Sequence, residues 1–249
     1  MGNFHYLPQK RPFIWERKAW GASDPTGYLY PLGTVEQITI HHTVSAAKPP
    51  FEEVKSVQRY HMQKEPDPFF DIGYHFLVDR AASIDGRDIY EGRQRQSNGV
   101  LSQGAHVAGR NQGNIGVAVL GNYEDEPFSE GQRRVLVDLL AWLCYLYSVP
   151  FSEIRAHRDF SPTSCPGRHL YTELDGIRQE LVDRLVAREG PPDRTVNIVV
   201  NGQPLNLEPQ AVLVNGTAVA PVRPLAEAQG AHVRWNASTR TVYLDSNGK

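Results

Sequence analysis

Residues able to do chemistry concentrate in Arg155-Ala156-His157-Arg158-Asp159-Phe160-Ser161-Pro162-Thr163-Ser164-Cys165-Pro166-Gly167. An imidazole nitrogen and a thiolate sulfur both bind Zn²⁺, and a catalytic zinc takes about three protein ligands while keeping a fourth position for water. The polar loop with Pro162, closed by Pro166-Gly167, returns Cys165 toward His157, and the apolar Val149 and Ile154 upstream place His157 where a short extended segment ends. A third ligand has to come from elsewhere. Among nine histidines, His41 is the best placed, near the end of the alternating run Val35-Glu36-Gln37-Ile38-Thr39-Ile40-His41-His42-Thr43. Side chains alternate along a strand, so only one of His41 and His42 faces a given site. The same pair supports a rival chemistry, with Cys165 as nucleophile and His157 as its base. Such cysteines usually sit at a helix N-terminus that lowers the thiol pKa, whereas the next helix here is expected only from Tyr171.

The elements that must position these residues alternate between strand and helix. Residues 1–34 read as an irregular arm rich in Pro, Gly and aromatics. After the strand at 35–43, Pro49-Pro50 precede a helix from Phe51 to Lys64, with Phe51, Val54, Val57 and Tyr60/His61 on its apolar stripe and Pro66 and Pro68 ending it. Asp71–Asp79 reads as a buried strand and Ile89–Glu91 as a short one. The Gly/Asn-rich loop over 109–114 leads into Ile115–Leu120, a β-branched run typical of a central strand. Ser129 and Gln132 form a capping box for a helix with Val135, Leu136, Leu139, Leu140, Leu143 and Leu146 on one stripe. A last helix spans Tyr171 to Arg188. This pattern predicts an α/β fold, a central mixed β-sheet flanked by helices, over residues 1–188. A linker at 189–194 leads to a small α+β domain rich in hairpins at 195–249. There Asn201-Gly202 and Asn215-Gly216 are hairpin turns, Pro224–Gln229 is a short helix, and 232–235 pairs with 241–244.

Composition excludes several partners. The chain has 249 residues with 26 Lys and Arg against 28 Asp and Glu, for a net charge of −2. That balance gives no general affinity for nucleic acid. The start Met1-Gly2-Asn3-Phe4-His5-Tyr6-Leu7-Pro8 has no apolar leader segment, and no stretch approaches a membrane span. Cytosolic synthesis without membrane insertion is the expectation. Of the two cysteines, Cys144 lies in Leu139-Leu140-Ala141-Trp142-Leu143-Cys144 and reads as a free thiol on a buried helix face.

Read in order, Ile38-Thr39-Ile40-His41-His42-Thr43, Gly73-Tyr74-His75-Phe76, Gly104-Ala105-His106-Val107-Ala108-Gly109, Asn114-Ile115-Gly116-Val117 and His157 through Cys165-Pro166 carry a resemblance. They are similar to the zinc-dependent N-acetylmuramoyl-L-alanine amidases of the peptidoglycan-recognition-protein (amidase type 2) family, which includes bacteriophage lytic amidases. Arg17-Lys18-Ala19-Trp20-Gly21-Ala22 is similar to that family's usual start. The resemblance implies that His41, His157 and Cys165 hold Zn²⁺ and that His42 points away. It implies that Tyr74 is the catalytic tyrosine and that His106 and Asn114 line the substrate groove. Thr163 stands where some phage members carry lysine and many animal members threonine, so the second electrophilic group would be a hydroxyl. Asp159 reads as a residue that caps the loop.

The implied reaction is hydrolysis of the amide between the lactyl group of N-acetylmuramic acid and L-alanine in peptidoglycan. Zinc lowers the pKa of a bound water and polarises the scissile carbonyl, and Tyr74 and Thr163 would donate to the developing oxyanion. Peptidoglycan is the expected partner and a monomer the expected state. A phage endolysin, acting on the wall after release, is the expected biology; a bacterial autolysin is the alternative. The same family fold also serves as a receptor without catalysis, but such members typically lack the cysteine ligand. Beyond the linker, Ala220-Pro221-Val222-Arg223-Pro224-Leu225, Val233-Arg234-Trp235-Asn236 and Val242-Tyr243-Leu244 resemble stalk-like domains related to the N-terminal domain of copper amine oxidases. They show no copper-ligand cluster. Cell-wall targeting is the expected role, with a spacer or dimerising module as alternatives.

Overall fold

In the computed structural model the β-branched run Ile38-Thr39-Ile40 forms the middle of β1 (Gln37–His42), paired in parallel on both edges. Described residues are 6–82, 88–186, 198–200, 203–205, 212–214, 217–220, 222–236 and 241–246. The sheet contains β1, β2 (Phe76–Val78), β3 (Ile89–Glu91), β4 (Asn114–Val119) and β5 (Ile154–Ala156), ordered β3-β2-β4-β1-β5. Only β3 runs antiparallel to its neighbour. All six residues of β4 are buried, as a strand covered on both faces requires.

Alternation sorts the side chains into two layers. On one face Ile38, Ile40, Val117, Phe76 and Ile154 join the main core with α3 (Glu130–Tyr147) and α4 (Arg168–Leu185). On the other, Leu77, Tyr90 and Ala118 lie under Trp20 of α1 (Arg17–Trp20) and Val54 and Val57 of α2 (Pro50–Gln63). The register pairs Ile40 with Ala156. The next residues of the two chains, His41 and His157, therefore come side by side on the α2 face, next to the exposed Arg155.

Three sequence expectations shift. The ladder of β2 is shorter than Asp71–Asp79. The Asp71 carboxylate is fully buried and accepts from Ile72 N–H at 2.8 Å, Gln94 N–H at 2.8 Å and the Gln58 amide at 2.7 Å, and it pairs with Arg17 at 3.0 Å. Those bonds bend the chain out of the sheet. Helix α4 begins at Arg168, not Tyr171, because Gly167 at φ +89° serves as N-cap and Glu124 accepts the Arg168 N–H at 2.9 Å. The N-terminal arm is not wholly irregular. It holds α1 and bridges to the sheet through Trp15 and Tyr90. The capping box of α3 is present as read, with Ser129 and Gln132 bonded reciprocally.

The chain divides into two compact units, 1–187 and 188–249. The expected linker at 189–194 lies outside the described residues. In the second unit, β6 (Ile198–Val200) pairs with β7 (Gln203–Leu205), and β8 (Val212–Val214) with β9 (Thr217–Val219). A helix α5 (Val222–Ala228) then precedes the hairpin of β10 (Ala231–Asn236) and β11 (Thr241–Ser246).

Two glycines flanking α4 and within it should respond oppositely to alanine. At exposed Gly176 an added methyl meets only Arg133 at 3.4 Å, so Gly176→Ala should stabilise by roughly 0.5–1 kcal/mol through helix propensity. At Gly167 the methyl would lie 2.2 Å from the Tyr123 backbone at a positive φ, so Gly167→Ala should lower the melting temperature sharply. Thermal unfolding of the two variants checks both signs.

Candidate metal centre

His41 leaves β1 toward α2, whereas His42 leaves the other way and accepts the Tyr123 N–H on Nδ1 at 3.2 Å. The His41 and His157 ring centroids are 4.6 Å apart. His41 Nδ1 lies 3.6 Å from Cys165 Sγ, and a nitrogen of each histidine and the sulfur all lie within 4.8 Å of one another. Bonds of about 2.0–2.1 Å to nitrogen and 2.3 Å to sulfur at the tetrahedral angle put nitrogen and sulfur about 3.6 Å apart. The donor set suits one tetrahedral zinc ion with a position left over, and the His41–Cys165 separation already matches it.

Local bonds hold the loop that carries His157 and Cys165. Cys165 Sγ accepts the His42 N–H at 3.4 Å, its N–H donates to Thr163 Oγ1 at 3.2 Å, and its carbonyl accepts the Arg158 N–H at 3.0 Å. Asp159 caps the turn at His157. It accepts the Ala156 N–H at 2.8 Å and the Tyr171 hydroxyl at 3.2 Å. Burial lowers the pKa of both His41 and His157, with His106 next in effect on His41, so both rings are neutral.

Burial also pushes the Cys165 thiol up to about 12, only partly offset by the His42 N–H and Arg158. Without a metal this thiol stays protonated at neutral pH and is a weak nucleophile. The start of α4 at Arg168 removes the distance argument against a cysteine nucleophile, and burial supplies a better one.

Tyr74 is half-buried, its ring centroid 5.1 Å from His41 and 5.2 Å from His61. Burial holds its phenol above the ordinary tyrosine value, so it keeps its proton. Thr163 is half-buried, and its oxygen is the acceptor for Cys165 N–H. Thr43, Ser45, Lys48, Tyr60, His61 and Tyr74 line an open cleft of about 480 Å³.

Two expected groove residues stand elsewhere. Asn114 is buried, bonded to the Thr39 hydroxyl at 2.9 Å, the Arg110 carbonyl at 2.9 Å and Gln37 at 3.2 Å. His106 is buried behind His41, with its Nδ1 3.0 Å from His41 Nε2 and its Nε2 3.0 Å from the Asn114 carbonyl. Their polar atoms are bonded inside the protein. Conversely, helical periodicity assigns His61 only to the stripe of α2. The segment that follows folds back over the end of α2, with Phe69 N–H on His61 O at 2.8 Å and Gly73 N–H on His61 Nδ1 at 3.0 Å. These long-range bonds, invisible to periodicity, turn the His61 ring into the cleft wall.

The model of the N-acetylmuramoyl-L-alanine amidase family matches residues 31–168, and that of the copper amine oxidase N-terminal domain matches residues 199–249. Peptidoglycan-recognition protein SA of Drosophila melanogaster is 33% identical over 176 residues, which cover 67% of this chain and 79% of that protein. The endolysin of Enterobacteria phage T3 is 32% identical over 147 residues, covering 56% of this chain and 85% of the endolysin. The solved structure of an N-acetylmuramoyl-L-alanine amidase from Clostridium intestinale superposes with a TM-score of 0.56 at 25% identity, covering 69% of this chain and 98% of that one. No helix among the described residues is long and apolar enough to cross a membrane.

The buried imidazoles set the acid response of the metal-free protein. Burial lowers His61 and His75 to about 4 and His106 to about 3. Between the ordinary value near 6.5 and those values, the unfolded chain binds protons that the folded chain refuses. Stability should therefore fall as pH drops through that window. Melting temperatures of chelator-treated protein across it test the sign; a flat profile would contradict neutral buried histidines.

Proposed function

The chain belongs to the N-acetylmuramoyl-L-alanine amidase family, and we propose that it is a zinc-dependent enzyme cleaving the amide between the muramic-acid lactyl group and L-alanine of bacterial peptidoglycan. The observation that carries this reading is the convergence of His41, His157 and Cys165 beside a protonated Tyr74 at the end of an open cleft. A zinc ion held by these three residues would supply Lewis acidity toward the scissile carbonyl and an activated water.

The remaining tasks fall to the protein's own groups. Tyr74, protonated at neutral pH, donates its O–H to the carbonyl oxygen as negative charge builds there. Thr163 takes the Cys165 N–H on its oxygen, so its own hydroxyl proton can turn toward the same charge. His61 accepts the Gly73 N–H on Nδ1. The ring is neutral, so its proton sits on Nε2 as a further donor in the cleft. The opposite wall is braced by Ser45, whose hydroxyl donates to Glu53 at 2.6 Å and whose carbonyl accepts from Arg80 at 2.6 Å. The cleft is of a size suited to a small-molecule segment such as a muramyl peptide.

The likeness to a phage endolysin supports a bacteriolytic role. Likeness to a peptidoglycan-recognition protein favours a second reading, wall binding without hydrolysis. The complete His-His-Cys ligand set speaks for hydrolysis.

Cys165→Ser should abolish release of stem peptides from purified wall while wall pull-down persists; unchanged hydrolysis would sink the zinc assignment. Tyr74→Phe should keep zinc content and lower kcat by roughly 10²–10³-fold, the usual loss for one oxyanion donor, with KM little changed.

A further inference from the structure

His106 fills a slot that the backbone leaves for it. A methyl group at Gly104 would stand 2.5 Å from its ring, and one at Gly116, in the middle of β4, 2.6 Å. Glycine inside a strand costs stability relative to a residue with a side chain, so the slot is maintained at the sheet's expense. Within it, His106 Nε2 meets the Asn114 carbonyl at 3.0 Å. A carbonyl only accepts, so this nitrogen carries the proton and Nδ1 of the neutral ring bears the lone pair. His41 Nε2, 3.0 Å from that Nδ1, must then be the donor. It follows that the lone pair of His41 lies on Nδ1, the atom 3.6 Å from Cys165 Sγ.

We propose that His106 is a positioning residue that fixes His41 in the tautomer whose Nδ1 lone pair faces Cys165. This deepens the zinc reading above and rests on it for its purpose. Ligating histidines commonly give their second N–H to a carboxylate or carbonyl. Here a neutral imidazole receives it, which orients the ring without adding charge beneath the site, and the order of protons is imposed from the Asn114 main chain. His75 is locked in the same manner nearby, donating from Nε2 to the Ser102 carbonyl at 2.8 Å and accepting the Gly116 N–H on Nδ1 at 2.8 Å.

The test reads the ring itself. Long-range ¹H–¹⁵N correlation spectra of the metal-free full chain should show His41 protonated on Nε2 and His106 protonated on Nε2; His41 protonated on Nδ1 would overturn the proposal in the wild-type protein alone. His106→Leu should mix the His41 tautomers and weaken zinc binding, measured by chelator competition, roughly 10–100-fold. His106→Gln, whose carboxamide can accept from His41 and donate to Asn114, should recover most of that affinity. A merely structural His106 would change melting temperature without moving the tautomer or the zinc affinity, and that result would also overturn the proposal. If His106→Leu does not fold, Gly116→Ala displaces the ring without removing it and should weaken zinc in the same direction. A wild-type chain that took up no zinc would refute the zinc reading, while the metal-free spectra would still decide the role of His106.

Discussion

Pairing of β1 along both edges is the constraint on which the site depends. Parallel ladders to β4 and β5 fix Ile38, Ile40 and Ala156 in the main core. Alternation then leaves His41 and the residue after β5, His157, on the opposite face with no freedom to choose. A slip of one residue in β1 would exchange His41 with His42 and put the wrong ring beside His157 and Cys165. Because both imidazoles are placed by sheet register, only the sulfur has to be delivered by a loop. That loop is tied to the same strand through the His42 N–H on Cys165 Sγ. One strand thus orients the His41 ring with its side chain and the Cys165 sulfur with its backbone.

Behind His41 lies a layer of buried polar groups whose hydrogen bonds are made within the protein. Asn114, His75 and His106 each spend their polar atoms on backbone or on one another, and Asp71 collects donors from α2, the β3 loop and its own neighbour. Such networks are costly when incomplete and specifying when satisfied. Here they brace the face of the sheet that carries His41, while Thr43, Ser45 and Lys48 line the cleft beside it.

Local signals in the sequence revealed most of the frame. The alternating run of β1, the capping box of α3 and the strand Ile89–Glu91 depend on neighbours in the chain and were legible for that reason. The extent of β2 was overestimated because the buried Asp71 draws on Gln58 and Gln94, residues far away in sequence. The start of α4 was misplaced because a glycine N-cap works only where Glu124 reaches it. At the site, ligand types and motif order singled out His41, His157, Cys165 and Tyr74. The settings of His61 and His106 were not legible. One is decided by a backbone N–H, the other by a backbone carbonyl, and main-chain atoms carry no residue identity.

The most direct test of the account is mass spectrometry of purified Gram-positive cell wall digested with the full chain, with and without a zinc chelator. The account predicts free stem peptides that begin with L-alanine, lost under chelation and restored by zinc. Cuts within the stem peptide, or L-alanine-terminated peptides released equally in the chelator's presence, would contradict it.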